Sequence, residues 1–67
     1  MQTRASALKI ARVRAGLSQA RLADLAGTYQ VHVSRIERGA RPDPEEAKQI
    51  ASALGCRPEE IFADGAE

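Results

Sequence analysis

The sequence predicts an all-α fold, a compact five-helix bundle, and three observations lead there. No segment alternates apolar and polar residues with period two over more than a few positions, so nothing reads as a strand. Apolar residues recur instead at the three- and four-residue spacing of a helix face. Helix-ending residues, among them Gly16, Gly27, Gly39 and Gly55, fall at helix-length intervals.

The first helix is expected from about Thr3 to Ala15, where Ala, Leu, Lys, Arg and Ile all favour helix and Gly16 accepts the positive φ that ends one. Its stripe is Ala5, Leu8, Ala11 and Ala15, with Ile10 and Val13 beside it. Ser18 can cap a second helix that runs to Leu25 or Ala26 and is broken by Gly27. Thr28 is the next expected cap, for a third helix from Tyr29 to Arg38 that Gly39 stops. The prolines of Arg41-Pro42-Asp43-Pro44 forbid continuation. Asp43 then caps a fourth helix with Pro44 at its first position and Glu46 where a capping box places an acid. That helix buries Ala47, Ile50, Ala51 and Leu54 and ends at Gly55. Pro58-Glu59-Glu60 opens a short fifth helix that brings Ile61 and Phe62 to the core, and residues 63–67 are expected to fray. The organisation is one domain over residues 1–67, without internal repeats.

A chain of 67 residues lies near the lower limit at which an apolar core alone supports folding, which disfavours a large catalytic cleft. One Cys, no run of about 18 apolar residues and no basic start leading into an apolar signal core disfavour disulfides, membrane spanning and secretion. The sequence reads as an intact cytoplasmic protein. Its net charge of +1 conceals a division. Residues 1–42 carry eight Lys and Arg against two acids, a balance of +6, whereas residues 43–67 carry two against seven, a balance of −5. The first part suits a polyanion and the second does not.

The stretch from Gln19 to Ile36 organises the rest. Leu22 and Ala23 share a helix face, Gly27 supplies a corner, and Val33 and Ile36 anchor the helix that follows. These are the offsets of a helix-turn-helix, in which a small residue on the first helix lets the second cross it closely at about 100°. On a helical wheel Tyr29, Val33 and Ile36 fall together, while Val31, Ser34, Arg35 and Arg38 fall opposite, with Gln30 at the edge and His32 on the other flank. The outward set suits the major groove, where Arg pairs with guanine, Gln with adenine, and an aliphatic group meets the thymine methyl. Any exposed helix face carries some Arg, Ser and Gln, so the corner gives the wheel its weight.

LSQARLADLAG followed by SRIERG resembles the Cro and phage-repressor family of helix-turn-helix DNA-binding proteins. The likeness covers about residues 8 to 62 and includes ASALG and PEEIF, which resemble the fourth and fifth helices of that family. The resemblance implies a lambda-repressor-like domain with its helix-turn-helix over residues 18–38. Carried over by position, it implies base contacts from Gln30, Val31, Ser34 and Arg35, and phosphate contacts from Gln19, Thr28, Tyr29 and Arg38. It also implies that Arg12 and Glu37 pair to orient the reading helix. Ala11, Ala47 and Cys56 are smaller than their usual counterparts in relatives, which leaves Ile10 and Val13 to supply bulk or an apolar edge.

Other chemistry is weakly supported. His32 and Cys56 alone fall short of the roughly four ligands a zinc site needs, so no metal is expected. Cys56 reads as a small buried apolar residue and His32 as an exposed side chain near phosphate. No nucleophile with its base and no Gly-rich phosphate loop is present, so neither enzyme activity nor a cofactor is expected. The expected function is a transcriptional regulator, a repressor in sign, that binds a pseudo-palindromic operator as a homodimer through Cys56, Pro58, Ile61 and Phe62. A different class stays open, a protein-interaction module such as an antitoxin-like partner. The stretch after Phe62 is short for the partner-binding segment such proteins carry.

Overall fold

A computed structural model describes residues 6–62, and the expected start of the first helix at Thr3, Ala5 in its stripe and the tail 63–67 lie outside them. Within that span the elements are α1 (Ala7–Arg14), α2 (Gln19–Ala26), α3 (Gln30–Glu37), α4 (Pro44–Leu54) and α5 (Pro58–Phe62). No strand occurs among the described residues.

Local chemistry sets most helix ends. Ser6 has an extended backbone and its Oγ accepts from the Lys9 amide at 3.0 Å, so α1 begins at Ala7. Ser18 does the same for α2, accepting from the Arg21 amide at 3.0 Å. Gly27 then turns the chain at φ +74°, which a residue with a Cβ enters at a cost, and the Thr28 amide reaches back to the Ala23 carbonyl at 2.9 Å.

Two expected caps behave differently. Tyr29 and not Thr28 occupies the cap position of α3, with an extended backbone and no capping side chain. The Thr28 hydroxyl is directed to Glu46 of α4 instead, at 2.7 Å. Asp43 does stand before Pro44 with extended backbone, yet makes no side-chain cap bond, and Glu46 does not close a capping box because its carboxylate faces α3.

The core is a junction of four helices. Leu8, Leu22, Val33 and Ile50, one from each of α1 to α4, are its largest fully buried side chains. Ala23, Ala26 and Ala51 are buried beside them, and their small size lets α2 lie close to both α3 and α4. Ile36 and Ile61 complete the set, and Ala11, Leu17, Leu54, Cys56 and Phe62 pack partly buried around it.

Some positions grouped with the core face outward. Ala15 of the expected α1 stripe is exposed, because α1 ends at Arg14 and meets the core mainly through Leu8, and Ile10 and Val13 beside the stripe are exposed as an apolar edge. Tyr29, grouped with Val33 and Ile36 on the wheel, is 70% exposed, since it precedes the helix and the wheel does not apply to it. In α4, Ile50 and Ala51 are buried while Ala47 and Leu54 are half-buried.

Truncating Leu22 to Ala removes a fully buried group at the centre of this junction, with an expected loss of about 2–5 kcal/mol. Val13→Ala on the exposed face should stay within about 0.5 kcal/mol of the parent. Urea unfolding followed by helical circular dichroism distinguishes the two.

Candidate nucleic-acid interface

α3 is held by its apolar side and offers the other. Val33 and Ile36 are buried, whereas Gln30, Val31, Arg35 and Arg38 are exposed and Ser34 is half-buried. The outward set is therefore contiguous along eight residues and the C-cap. No side chain caps the first turn of α3, which leaves its leading amides pointing out at the end where the helix dipole is positive.

The far end of α3 is fixed by a polar cluster. Arg12 Nε donates to Glu37 Oε2 at 2.6 Å and its Nη2 donates to Oε1 at 3.2 Å, a two-pronged pair between α1 and α3. Arg12 Nη1 also donates to the Leu17 carbonyl at 2.8 Å, which ties in the link between α1 and α2. From α2, Gln19 Nε2 donates to Glu37 Oε1 at 3.0 Å, and Gln30 Nε2 donates in turn to Gln19 Oε1 at 3.4 Å. The Arg12 and Glu37 side chains are only 11% and 5% exposed. Burial pushes the Glu37 carboxyl up, but the bonds from Arg12 and Gln19 and the charges of Arg12 and Lys9 outweigh it, and the net is below the ordinary 4.5.

The near end is tied to α4. Thr28 Oγ1 donates to Glu46 Oε2 at 2.7 Å, and His32 Nδ1 lies 2.9 Å from the same oxygen. The Thr28 bond, with help from His32, holds the Glu46 carboxyl below its usual range despite some burial. His32 is thus part-exposed, at 44% of its side chain, and in addition paired with Glu46, which the sequence reading of an exposed side chain did not include.

This use of the acids decides the electrostatics of the face. Glu37 and Glu46 are turned into the two ties, and Asp24 stands 3.7 Å from Arg21. Among the described residues no acid lies within 4.0 Å of Arg35 or Arg38, and the nearest polar contact of Arg38 is Ser34 Oγ at 3.5 Å. Both guanidiniums are available to an external anion.

The residues expected to matter are thus brought together in part. Gln19, Thr28, Tyr29, Gln30, Val31, Ser34, Arg35 and Arg38 lie on or beside the outer side of α2 and α3. Cys56, Pro58 and Phe62 are half-buried on and beside α5. Ile61, expected at a dimer surface, is 7% exposed and belongs to the core, since α5 turns it inward between α1 and α4. The roles of Glu46 and His32 as one unit escaped the sequence reading, because the partners stand 14 and 18 positions apart and Glu46 has a sufficient local explanation as a first-turn acid.

Acid should loosen both ties. The two carboxyls titrate lower in the folded chain than in the unfolded one, so their contribution is complete above about pH 4.5 and is withdrawn as the pH falls through the lower folded values. Stability measured by urea unfolding should be flat from pH 7 to about 5 and decline from pH 4.5 to 3. Glu37→Gln should be less stable at neutral pH and show a shallower decline.

The helix-turn-helix family model matches residues 8–61, which takes in every element from Leu8 of α1 to Ile61 of α5. With the corner, the crossing and the outward basic helix in place, the chain belongs to the Cro/C1-type helix-turn-helix family and is a DNA-binding transcription regulator.

Proposed function

We propose that this regulator binds a pseudo-palindromic operator as a homodimer, with α3 of each copy in the major groove, and that it represses. The observation that carries this reading is the outward face of α3, where Arg35 and Arg38 stand without an acid while the neighbouring acids are taken up inside the fold. Gln30, Val31, Ser34 and Arg35 face the base edges in this reading. Arg suits guanine, Gln suits adenine, and the Val31 side chain, 54% exposed, suits a thymine methyl.

Gln19, Tyr29 and Arg38 hold phosphates on either side, while Thr28 beside them gives its hydroxyl hydrogen to Glu46 and its amide hydrogen to the Ala23 carbonyl and has none left for a phosphate. Gln19 has a second amide hydrogen beyond the one given to Glu37. Tyr29 is 70% exposed at the uncapped start of α3, where a phosphate oxygen gains from the open amides and the dipole.

One eight-residue helix reads only a few base pairs. Useful specificity then requires two copies on half-sites about 34 Å apart. The surface for the second copy is Cys56, Pro58 and Phe62, backed by Ile61 and flanked by Ile10, which is 44% exposed. Repression follows because occupancy alone can block polymerase, whereas activation needs a further contact surface. Action on DNA places the protein in the cytoplasm, and among the described residues no helix is long and apolar enough to cross a membrane.

Selection from a random duplex library with the purified chain should enrich a two-fold symmetric site. A tight monomer on asymmetric DNA would refute the dimeric reading. Arg35→Ala should lose about 1–3 kcal/mol of discrimination at one base position per half-site. Arg38→Ala should weaken all sequences evenly and reduce the slope of log K against log salt by about 1 per copy. An unchanged site preference in Arg35→Ala would remove it from the reading set.

A further inference from the structure

Glu46 is the one acid of α4 whose carboxylate reaches the turn before α3. A single oxygen, Oε2, is 2.7 Å from Thr28 Oγ1 and 2.9 Å from His32 Nδ1, and those two atoms are themselves 3.3 Å apart. An ionised carboxylate accepts and cannot donate, so Thr28 and His32 both direct a hydrogen at Oε2. With the Thr28 hydrogen committed there, the remaining Thr28–His32 contact can only be the Nδ1–H shared with Thr28 Oγ1. Neutral His32 is therefore the Nδ1–H tautomer.

The positions that Glu46 grips enclose Tyr29, Gln30 and Val31, which open the outward face of α3. Tyr29 meets the His32 ring edge-on at a centroid distance of 5.6 Å. Other charged groups on the neighbouring elements are Glu45, next to Glu46 in the first turn of α4, Arg35, three positions along α3, and Arg21 and Asp24 of α2, which stand 3.7 Å apart and line a shallow depression with Thr28 and Tyr29.

We propose that Glu46 is a positioning residue for DNA reading, which from α4 holds Thr28 and His32 and so sets how Gln30 and Val31 meet the base edges. This rests on the reading role of α3 proposed above. It is the counterpart, at the start of the helix, of the Arg12–Glu37–Gln19 cluster at its end.

The inference makes a prediction opposite in sign to simple electrostatics. An acid near a DNA-facing surface repels phosphate, so its removal should by Coulomb's law tighten binding to every duplex. A positioning residue behaves otherwise. Glu46→Ala should lose about tenfold in the ratio of binding to a library-selected duplex over a scrambled duplex of the same composition. Binding to the scrambled duplex should hold or tighten. Glu46→Gln, whose amide oxygen still accepts from Thr28 and His32, should keep the ratio within about twofold. Circular dichroism at the assay temperature establishes that both variants are folded.

A second readout needs no DNA. The chain has one His, so its ring nitrogens are assigned without ambiguity in a ¹⁵N spectrum. The parent chain should show the Nδ1–H tautomer above pH 7, and Glu46→Ala should shift to Nε2–H. An Nε2–H tautomer in the parent, or a ratio unchanged or raised in Glu46→Ala, would overturn the proposal. A library selection that enriches no sequence would overturn the reading role of α3 and the proposal with it, whereas enrichment with an unchanged ratio would overturn the proposal alone.

Discussion

The placement of α3 depends first on the largely covered pair of Arg12 and Glu37. Taking two charges out of water is expensive, and an ion pair in a protein interior rarely stabilises more than an apolar pair of the same volume. What this pair supplies is direction. Both guanidinium prongs that face Glu37 are matched to its two oxygens, the third reaches the Leu17 carbonyl, and Gln19 adds a further donor, so no buried side-chain polar atom among the described residues is left without a partner. An apolar contact would tolerate rotation of α3 about its axis. A two-pronged carboxylate pair at 5% and 11% exposure does not.

That constraint also explains how a chain of net charge +1 presents a cationic surface. The basic residues before Pro42 outnumber the acids, but the effect at α3 depends on where the few acids point. Glu37 follows Ile36 on α3 itself, and if it faced solvent it would stand beside Arg38. Turned inward to Arg12 it costs the outer face nothing and leaves Arg35 and Arg38 unopposed. Glu46 is turned the same way at the opposite end. Glu46, one of the acids of the second part of the chain, is thus also one of the groups that hold α3.

What the sequence disclosed divides along the range of the interactions. Ser18, Gly27, Gly39, Pro44 and Gly55 act through bonds and dihedrals within a few residues of themselves, and the helix ends they mark were foreseen to within a residue or two. The inward positions Leu8, Leu22, Val33, Ile36 and Ile50 followed from periodicity. Ser6 was passed over because the Ala, Leu and Lys that follow it and the Ala before it all favour helix. Thr28 and Glu46 each had a plausible local partner, the first turn of α3 and the Asp43 cap, and each was taken by the other across 18 positions. Exposure of Tyr29 could not be read from a wheel that wrongly began with it. Local capping signals are legible because their partners are near in sequence; a cap residue diverted to a distant carboxylate is not.

The length of α3 gives the last consequence. Eight residues are too few for a stable isolated helix, since nucleation costs more than so few propagation steps return. The helix exists because Val33 and Ile36 are buried, Glu37 is bonded at one end and Thr28 and His32 at the other. None of those five side chains is among the outward set of Gln30, Val31, Ser34 and Arg35. Arg35 and Val31 contribute little to holding the helix in place, and the bond from Gln30 to Gln19 of α2, at 3.4 Å, is exposed and long. The side chains that fix where the helix sits are therefore separate from Gln30, Val31, Ser34 and Arg35, so those four can change their chemistry without the fold having to change to accommodate it.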